Sequence, residues 1–242
     1  MSAFLDSLRR SIESEKLVGV ATVVSGPFFG EKVLLDADGK TEGEISSSAL
    51  FEAIVARGRK LLEAQDTVLF EVDADGETAE IFFESHPPPD TLVVVGAVHV
   101  AIPLVSIART LGFRTVVVDA RSVYATEERF SQVDELIVQW PADALQKMRL
   151  HESTYCVFLT HDPKLDNPAL AIAIRSQTRY VGALGSKRTH ALRVAALEEI
   201  GLSSAEIARI HAPIGIRLGG NRPEEIALSI AAEIVSVRSG EA

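Results

Sequence analysis

The chain has 242 residues, of which 47% are hydrophobic and 24% charged, with a formal net charge of −10 at pH 7. This composition excludes a disordered chain, a collagen-like or solenoid repeat and a whole-surface nucleic-acid binder. The single cysteine, Cys156, excludes an internal disulfide and a cysteine-rich metal cage.

Phe4, Leu5, Leu8 and Ile12 recur at helical spacing among charges and predict a helix ending near Lys16. The segment from Met1 to Asp6 meets charge too soon for a signal peptide. Leu17 to Ser25 is rich in β-branched residues and predicts a strand. Glu31 to Asp36 predicts a second, closed by a hairpin turn at Asp36-Ala37-Asp38-Gly39. Ser46-Ser47-Ser48 marks a helix start, and Leu50, Ile54, Leu61 and Leu62 give that helix its apolar face to about Gln65. Thr67 to Asp73 and Thr78 to Glu84 predict two more strands joined at Asp75-Gly76. Residues 1–86 therefore form a small α+β domain.

His86-Pro87-Pro88-Pro89-Asp90 follows. Three prolines without N–H groups continue neither a helix nor a strand ladder, so residues 87–91 are a stiff linker. The charge changes at the same place. Residues 1–90 carry 8 Lys and Arg against 18 Asp and Glu, while residues 91–242 carry 16 against 16. A composition shift at a proline-rich linker predicts two domains, and the acidic first one is a candidate docking surface for a basic partner patch.

From residue 92 to 242, strands and helices alternate. Strands are expected at 92–95, 115–118, 135–138, 154–159 and 179–182. Helices are expected at 99–111, 141–148, 168–176, 186–200 and 223–237. Such alternation predicts a Rossmann-like parallel sheet with helices on both faces, and Val93-Val94-Val95 and Val116-Val117-Val118 suit strands buried on both sides. Leu92 to Ala108 is almost wholly apolar, but it is shorter than the roughly 20 residues of a membrane span. It also holds Gly96, His99, Pro103 and Ser106. The expectation is a cytoplasmic α/β protein with neither a membrane nor a nucleic-acid partner.

The polar residues of this domain gather after strands, at the edge where open α/β sheets bind ligands. Gly96-Ala97-Val98-His99-Val100-Ala101 is a damaged dinucleotide fingerprint. Its first glycine and last small residue are in place, and Val98 stands where a second glycine lets backbone approach a pyrophosphate. Asp119 ends the next strand, where an acid can hold a ribose. His99, opening the following helix, is a further candidate. In Thr160-His161-Asp162-Pro163-Lys164-Leu165-Asp166-Asn167-Pro168, Asp166 or Asn167 can cap a helix that Pro168 begins, which leaves His161 and Asp162 as site candidates. Gly182-Ala183-Leu184-Gly185-Ser186-Lys187-Arg188-Thr189-His190 combines glycines, a serine cap, a helix start and cations, which suits an anion. His211-Ala212-Pro213-Ile214-Gly215 and Gly219-Gly220-Asn221-Arg222 form a glycine-bearing loop suited to a lid or to plain connection. A metal site at His99, His161, Asp162 and His190 lacks tight ligand spacing, and Cys156, in an apolar run, is an inert buried thiol.

Together these strings, with Leu111-Gly112-Phe113, Val118-Asp119-Ala120-Arg121, Arg129-Phe130, Arg209-Ile210-His211 and Pro223-Glu224-Glu225-Ile226-Ala227, resemble the XdhC/CoxI family of xanthine dehydrogenase accessory proteins. The resemblance covers nearly the whole second domain. In the first domain the family has a glycine-rich string followed by Glu, and here Ser46-Ser47-Ser48 and Glu52 stand instead. The resemblance implies a maturation chaperone, not itself a catalyst. Such a protein binds the molybdenum cofactor, a phosphorylated pyranopterin, supports its sulfuration through a cysteine desulfurase, and inserts it into a molybdenum hydroxylase client. It implies a homo-oligomer, a dimer, and cofactor contacts from Gly96, Ala97, His99, Asp119, Arg121, His161, Asp162, Gly185, Ser186, Arg188 and His190. The alternatives are an NAD(P)-dependent oxidoreductase with Asp119 on the ribose and His99 or His161 as acid–base, and a degenerate protein-interaction module.

Overall fold

A computed structural model describes residues 3–241, so Met1, Ser2 and Ala242 lie outside the described residues. The chain divides into two compact units, one up to Pro88 and one from Pro89.

The first unit runs α1 (Ala3–Glu13), β1 (Val18–Ser25), β2 (Lys32–Asp36), β3 (Thr41–Glu44), α2 (Ser48–Ala64), β4 (Val68–Ala74) and β5 (Glu77–His86). Its sheet has the order β3-β2-β1-β5-β4, with every neighbouring pair antiparallel. Period-two alternation sorts the apolar side chains between its faces. Ala21, Val23, Val33, Leu35, Phe70 and Ile81 pack with Leu50, Ile54 and Leu62 of α2. Val18, Val20 and Leu34 meet Phe4 and Leu8 of α1. Ser47 caps α2 by accepting the Leu50 N–H at 3.1 Å, so the serine string starts a helix. Asp75 and Gly76 both have positive φ, which matches the two-residue hairpin turn between β4 and β5. β3, which the sequence pattern missed, is a fully exposed edge strand of sequence Thr-Glu-Gly-Glu.

The second unit runs β6 (Thr91–Val95), α3 (Ala101–Thr110), β7 (Arg114–Val118), β8 (Glu135–Ile137), α4 (Pro141–Lys147), β9 (Thr154–Phe158), α5 (Pro163–Arg175), β10 (Tyr180–Ala183), α6 (Lys187–Glu199), α7 (Ser204–Ile207), β11 (Ile210–His211) and α8 (Pro223–Arg238). The six strands are parallel, in the order β11-β10-β9-β6-β7-β8. This is the doubly wound dinucleotide-type order read from the far edge, and its topological switch point lies between β6 and β9. Leu92, Val94, Val117, Tyr155 and Val157 face α3 and α8. Val93, Val95, Val116, Val118, Cys156 and Phe158 face α4 and α5 on the other side. The apolar runs are thus buried on both faces, as a parallel sheet requires.

Two helix starts differ from the sequence expectation. α3 begins at Ala101, leaving His99 in the preceding turn. α5 begins at Pro163, five residues before Pro168, which lies inside the helix. Asp162 is its N-cap, accepting the Lys164 N–H at 2.9 Å, and Pro163 takes the first helical position, where no N–H is needed. Neither Asp166 nor Asn167 is the cap.

Side-chain bonds fix the chain at the start of the glycine-bearing loop before α8. Arg209 donates to the Ile174, Ser176 and Thr178 carbonyls. Glu233 accepts the Gly215 N–H at 2.9 Å and the Tyr180 hydroxyl. Burial pushes the Glu233 carboxyl up, but bonds from His211, Tyr180 and Gly215 outweigh it and hold the group below the ordinary range. Among the described residues, no helix is long and apolar enough to cross a membrane.

Candidate functional site

Strand register decides what stands side by side at the ligand edge. Val95 pairs with Val118 and with Phe158, and Phe158 pairs with Ala183. Gly96, Asp119, Leu159 and Leu184 therefore leave four adjacent strands at one level. The Gly96, Leu159 and Leu184 N–H groups extend the ladder to Val118, Val95 and Phe158, each at 2.8 Å. The loops carrying the eleven candidate residues emerge from this one edge, on both sides of the switch point.

Gly96 has φ +114, and a Cβ there would lie 3.0 Å from the Thr160 backbone nitrogen. The glycine is therefore needed for close approach of β9, a contact within the protein. The Ala97 N–H is also committed, donating to Asp119 Oδ2 at 2.8 Å. Val98 is partly buried and packs against the α3–α8 core. His99 is exposed.

Asp119 is fully buried, and both its oxygens are occupied. Oδ1 accepts from the Arg121 backbone N–H and Nε at 2.9 Å, and Oδ2 accepts from Arg121 Nη2 and the Ala97 N–H at 2.8 Å. Burial alone pushes this carboxyl up. The four bonds and the guanidinium charge together win and hold it below the ordinary carboxylate range. Four accepted bonds fill the lone-pair sites of a carboxylate, so a ribose diol would have to displace part of the Gly96 turn's own scaffold. Arg129 supports the same turn, donating to the Ala97 carbonyl at 3.0 Å and the Tyr124 carbonyl at 2.6 Å.

After β9, the exposed His161 sits at φ +61, the left-handed region that a side chain rarely adopts. It is held there from both sides. Thr160 Oγ1 accepts the Asp162 N–H at 3.0 Å and donates to Asp166 Oδ1 at 2.6 Å. Replacing His161 with glycine should relieve the strain and stabilise the protein by about 1 kcal/mol. Urea unfolding of His161→Gly checks this, and an unchanged or lowered midpoint would show that the backbone is not strained.

After β10, Ser186 caps α6 by accepting the Thr189 N–H at 3.1 Å, and Gly185 at φ +148 lies against Thr189. Lys187 and Arg188 are exposed and, among the described residues, form no ion pair. Two unpaired cations in a first helical turn oppose the helix dipole, a cost that an anion at this end removes.

Behind this turn lie two side chains that the sequence reading did not single out for ligand contact. Asp166 is 1% exposed and Arg193 6%. Arg193 Nη2 donates to the Leu184 carbonyl at 3.0 Å. Arg193 Nη1, Asp166 Oδ2 and His190 Nδ1 have no hydrogen-bond partner. Burial pushes the Asp166 carboxyl up to about 6, against the Thr160 bond and the Arg193 charge. Burial and then the Arg193 charge push the His190 imidazole down. The sequence signal for Arg193 was its place four residues before the buried Leu197, a charged residue on the inward stripe of α6.

Among the described residues, no group of three His, Cys, Asp or Glu side chains is placed to hold a metal ion. Cys156 is fully buried, and that burial pushes its thiol up to about 12, so it is not activated as a sulfur nucleophile.

The edge geometry now meets its relatives. Residues 92–234 match the XdhC Rossmann domain family model. The chain belongs to the XdhC family. This XdhC chain is 30% identical over 164 residues to a protein of Bacillus subtilis named as a probable xanthine dehydrogenase subunit, covering 67% of this chain and 47% of that protein. It is 39% identical over 99 residues to the molybdenum cofactor insertion chaperone PaoD of Escherichia coli, covering 41% of this chain and 30% of that one. It thus spans less than half the length of these curated relatives. A crystal structure of a xanthine dehydrogenase from Bacillus halodurans has a TM-score of 0.57 at 20% identity, covering 100% of this chain and 97% of that one, a likeness of fold. Val98, in the place of the fingerprint's second glycine, packs against the α3–α8 core.

Proposed function

We propose that the protein is an XdhC-type accessory protein that carries the molybdenum cofactor as cargo for a xanthine dehydrogenase-type molybdenum hydroxylase. The insertion-chaperone name of the PaoD relative supports this reading. The observation that carries it is the unpaired cationic first turn of α6, set in front of buried polar atoms without partners. A pterin phosphate is an anion with many donors and acceptors. Its phosphate suits the free first-turn N–H groups, Ser186 and Arg188, and its ring polar groups suit His99, His161, Asp162 and His190. Arg121 adds positive charge nearby, although Asp119 balances it. Sulfuration by a cysteine desulfurase belongs to the same proposal, with the sulfur supplied by that partner and not by the buried Cys156. The acidic first unit would dock a basic surface of a partner, and the carrier works as a dimer in the cytoplasm.

A nicotinamide oxidoreductase gains no support from the site, because the Asp119 oxygens and the Ala97 N–H are already bonded to each other or to Arg121. Arg188→Ala should weaken molybdopterin binding about tenfold, the worth of one charge-assisted phosphate contact at an exposed site. An equilibrium titration measures it. Full affinity in that variant would remove the phosphate assignment, and tight binding of NAD or NADP by the wild type would remove the carrier reading.

A further inference from the structure

Arg193 and Asp166 are each half used. Arg193 Nη2 holds the Leu184 carbonyl and Asp166 Oδ1 holds the Thr160 hydroxyl, while Nη1 and Oδ2 have no partner. At 6% and 1% exposure neither atom is satisfied by bulk water, and buried polar atoms left in that state need an explanation. Each group feels the other's charge. Among the described residues, however, the two form no ion pair. A buried guanidinium and carboxyl that share a field without an ion pair each leave one polar atom for a third group. The polarity of that group is fixed, since it must accept from Arg193 and donate to Asp166. An anion meets only the first demand and a cation only the second. A cyclic amide edge, with carbonyl and N–H side by side, meets both. Water does so too, and is the outcome the test must detect.

We propose that Asp166 and Arg193 form a buried subsite for the lactam edge of a pyrimidinone ring, with Arg193 Nη1 donating to the ring carbonyl and Asp166 Oδ2 accepting from the neighbouring ring N–H. The subsite rests on the carrier reading and names the part of a pterin cargo that the buried pair takes. Half-buried His190, with Nδ1 also unpartnered, links the pair to the exposed turn at Ser186.

The probe is pterin-6-carboxylate, followed by its fluorescence, against the same molecule methylated on the ring nitrogen beside the carbonyl. Methylation deletes the N–H and keeps the carbonyl. The wild-type chain should bind the methylated form about 10- to 100-fold more weakly, the cost of leaving one buried acceptor unpaired. Asp166→Asn should bind the two forms alike. Equal wild-type affinity for both, or no saturable binding of either, overturns the proposal and leaves water as the bridge. The wild-type ratio decides even if the variant fails to fold. Arg188-dependent molybdopterin binding without this discrimination would retain the carrier reading and reject the subsite, whereas absence of molybdopterin binding would reject the reading itself.

Discussion

Asp119→Ala is expected to destabilise the second unit by about 2–3 kcal/mol, the cost of stranding a buried N–H and of breaking a hydrogen-bonded ion pair whose guanidinium is partly exposed. The substitution strands the buried Ala97 N–H, and it removes three bonds from Arg121. It also unties the turn at Gly96 from the loop after β7. The measurement is urea unfolding, read as a shift in midpoint at constant slope. A loss below about 1 kcal/mol would show that these bonds exchange freely with water, which would return Asp119 to the pool of ligand contacts. The pH sign follows from the depressed carboxyl. Its folded value lies below the ordinary one near 3.9, so the stabilisation is present above about pH 4 and is lost as pH falls through the folded value.

Asp166→Asn should act in the opposite direction and stabilise the protein at neutral pH by on the order of 2 kcal/mol. The Asp166 carboxyl titrates at about 6 in the folded chain. An unfolded aspartate titrates near 3.9. The folded state therefore binds this proton more tightly than the unfolded state. The contribution is favourable below about pH 4, is lost as pH rises through about 6, and leaves an ionised buried group at neutrality. Asparagine keeps an oxygen for the Thr160 hydroxyl and carries no charge to bury. The gap between wild type and variant should close between pH 6 and pH 4 in paired unfolding curves. A variant less stable than wild type at pH 7 would mean that the ionised carboxylate is held by its surroundings. A destabilising acid kept at a ligand edge is what a binding role predicts, since stability and function compete there.

The parallel sheet was legible because its central strands β6 and β7 are short β-branched runs and several helices are bounded by turn and cap chemistry: Gly112 after α3, Ser186 before α6, Pro223 opening α8. The gathering of these residues at one sheet edge was legible from chain order, which puts residues 96–99, 119–121, 160–162 and 185–190 after strands. What failed to show had physical causes. Pro163 and Pro168 are both acceptable as first helical residues, and only Asp162 reaching the Lys164 N–H decides between them. β3 and β11 are too short and too polar to leave a hydrophobic period. The commitment of Asp119 to Ala97 and Arg121 is a tertiary fact, invisible to a motif that sees an acid after a strand. Asp166 reads as a surface cap until β9 and α5 bury it. The eleven candidates share one sheet edge by chain order, while the burial of Asp166 and Arg193 depended on packing.

The most direct measurement is mass spectrometry of the full chain isolated from a molybdenum-replete host, under conditions that keep bound small molecules. The carrier account predicts a stoichiometric phosphorylated pterin that is depleted in the Arg188→Ala chain. A bound nicotinamide dinucleotide, or a pterin retained equally by wild type and variant, would contradict it.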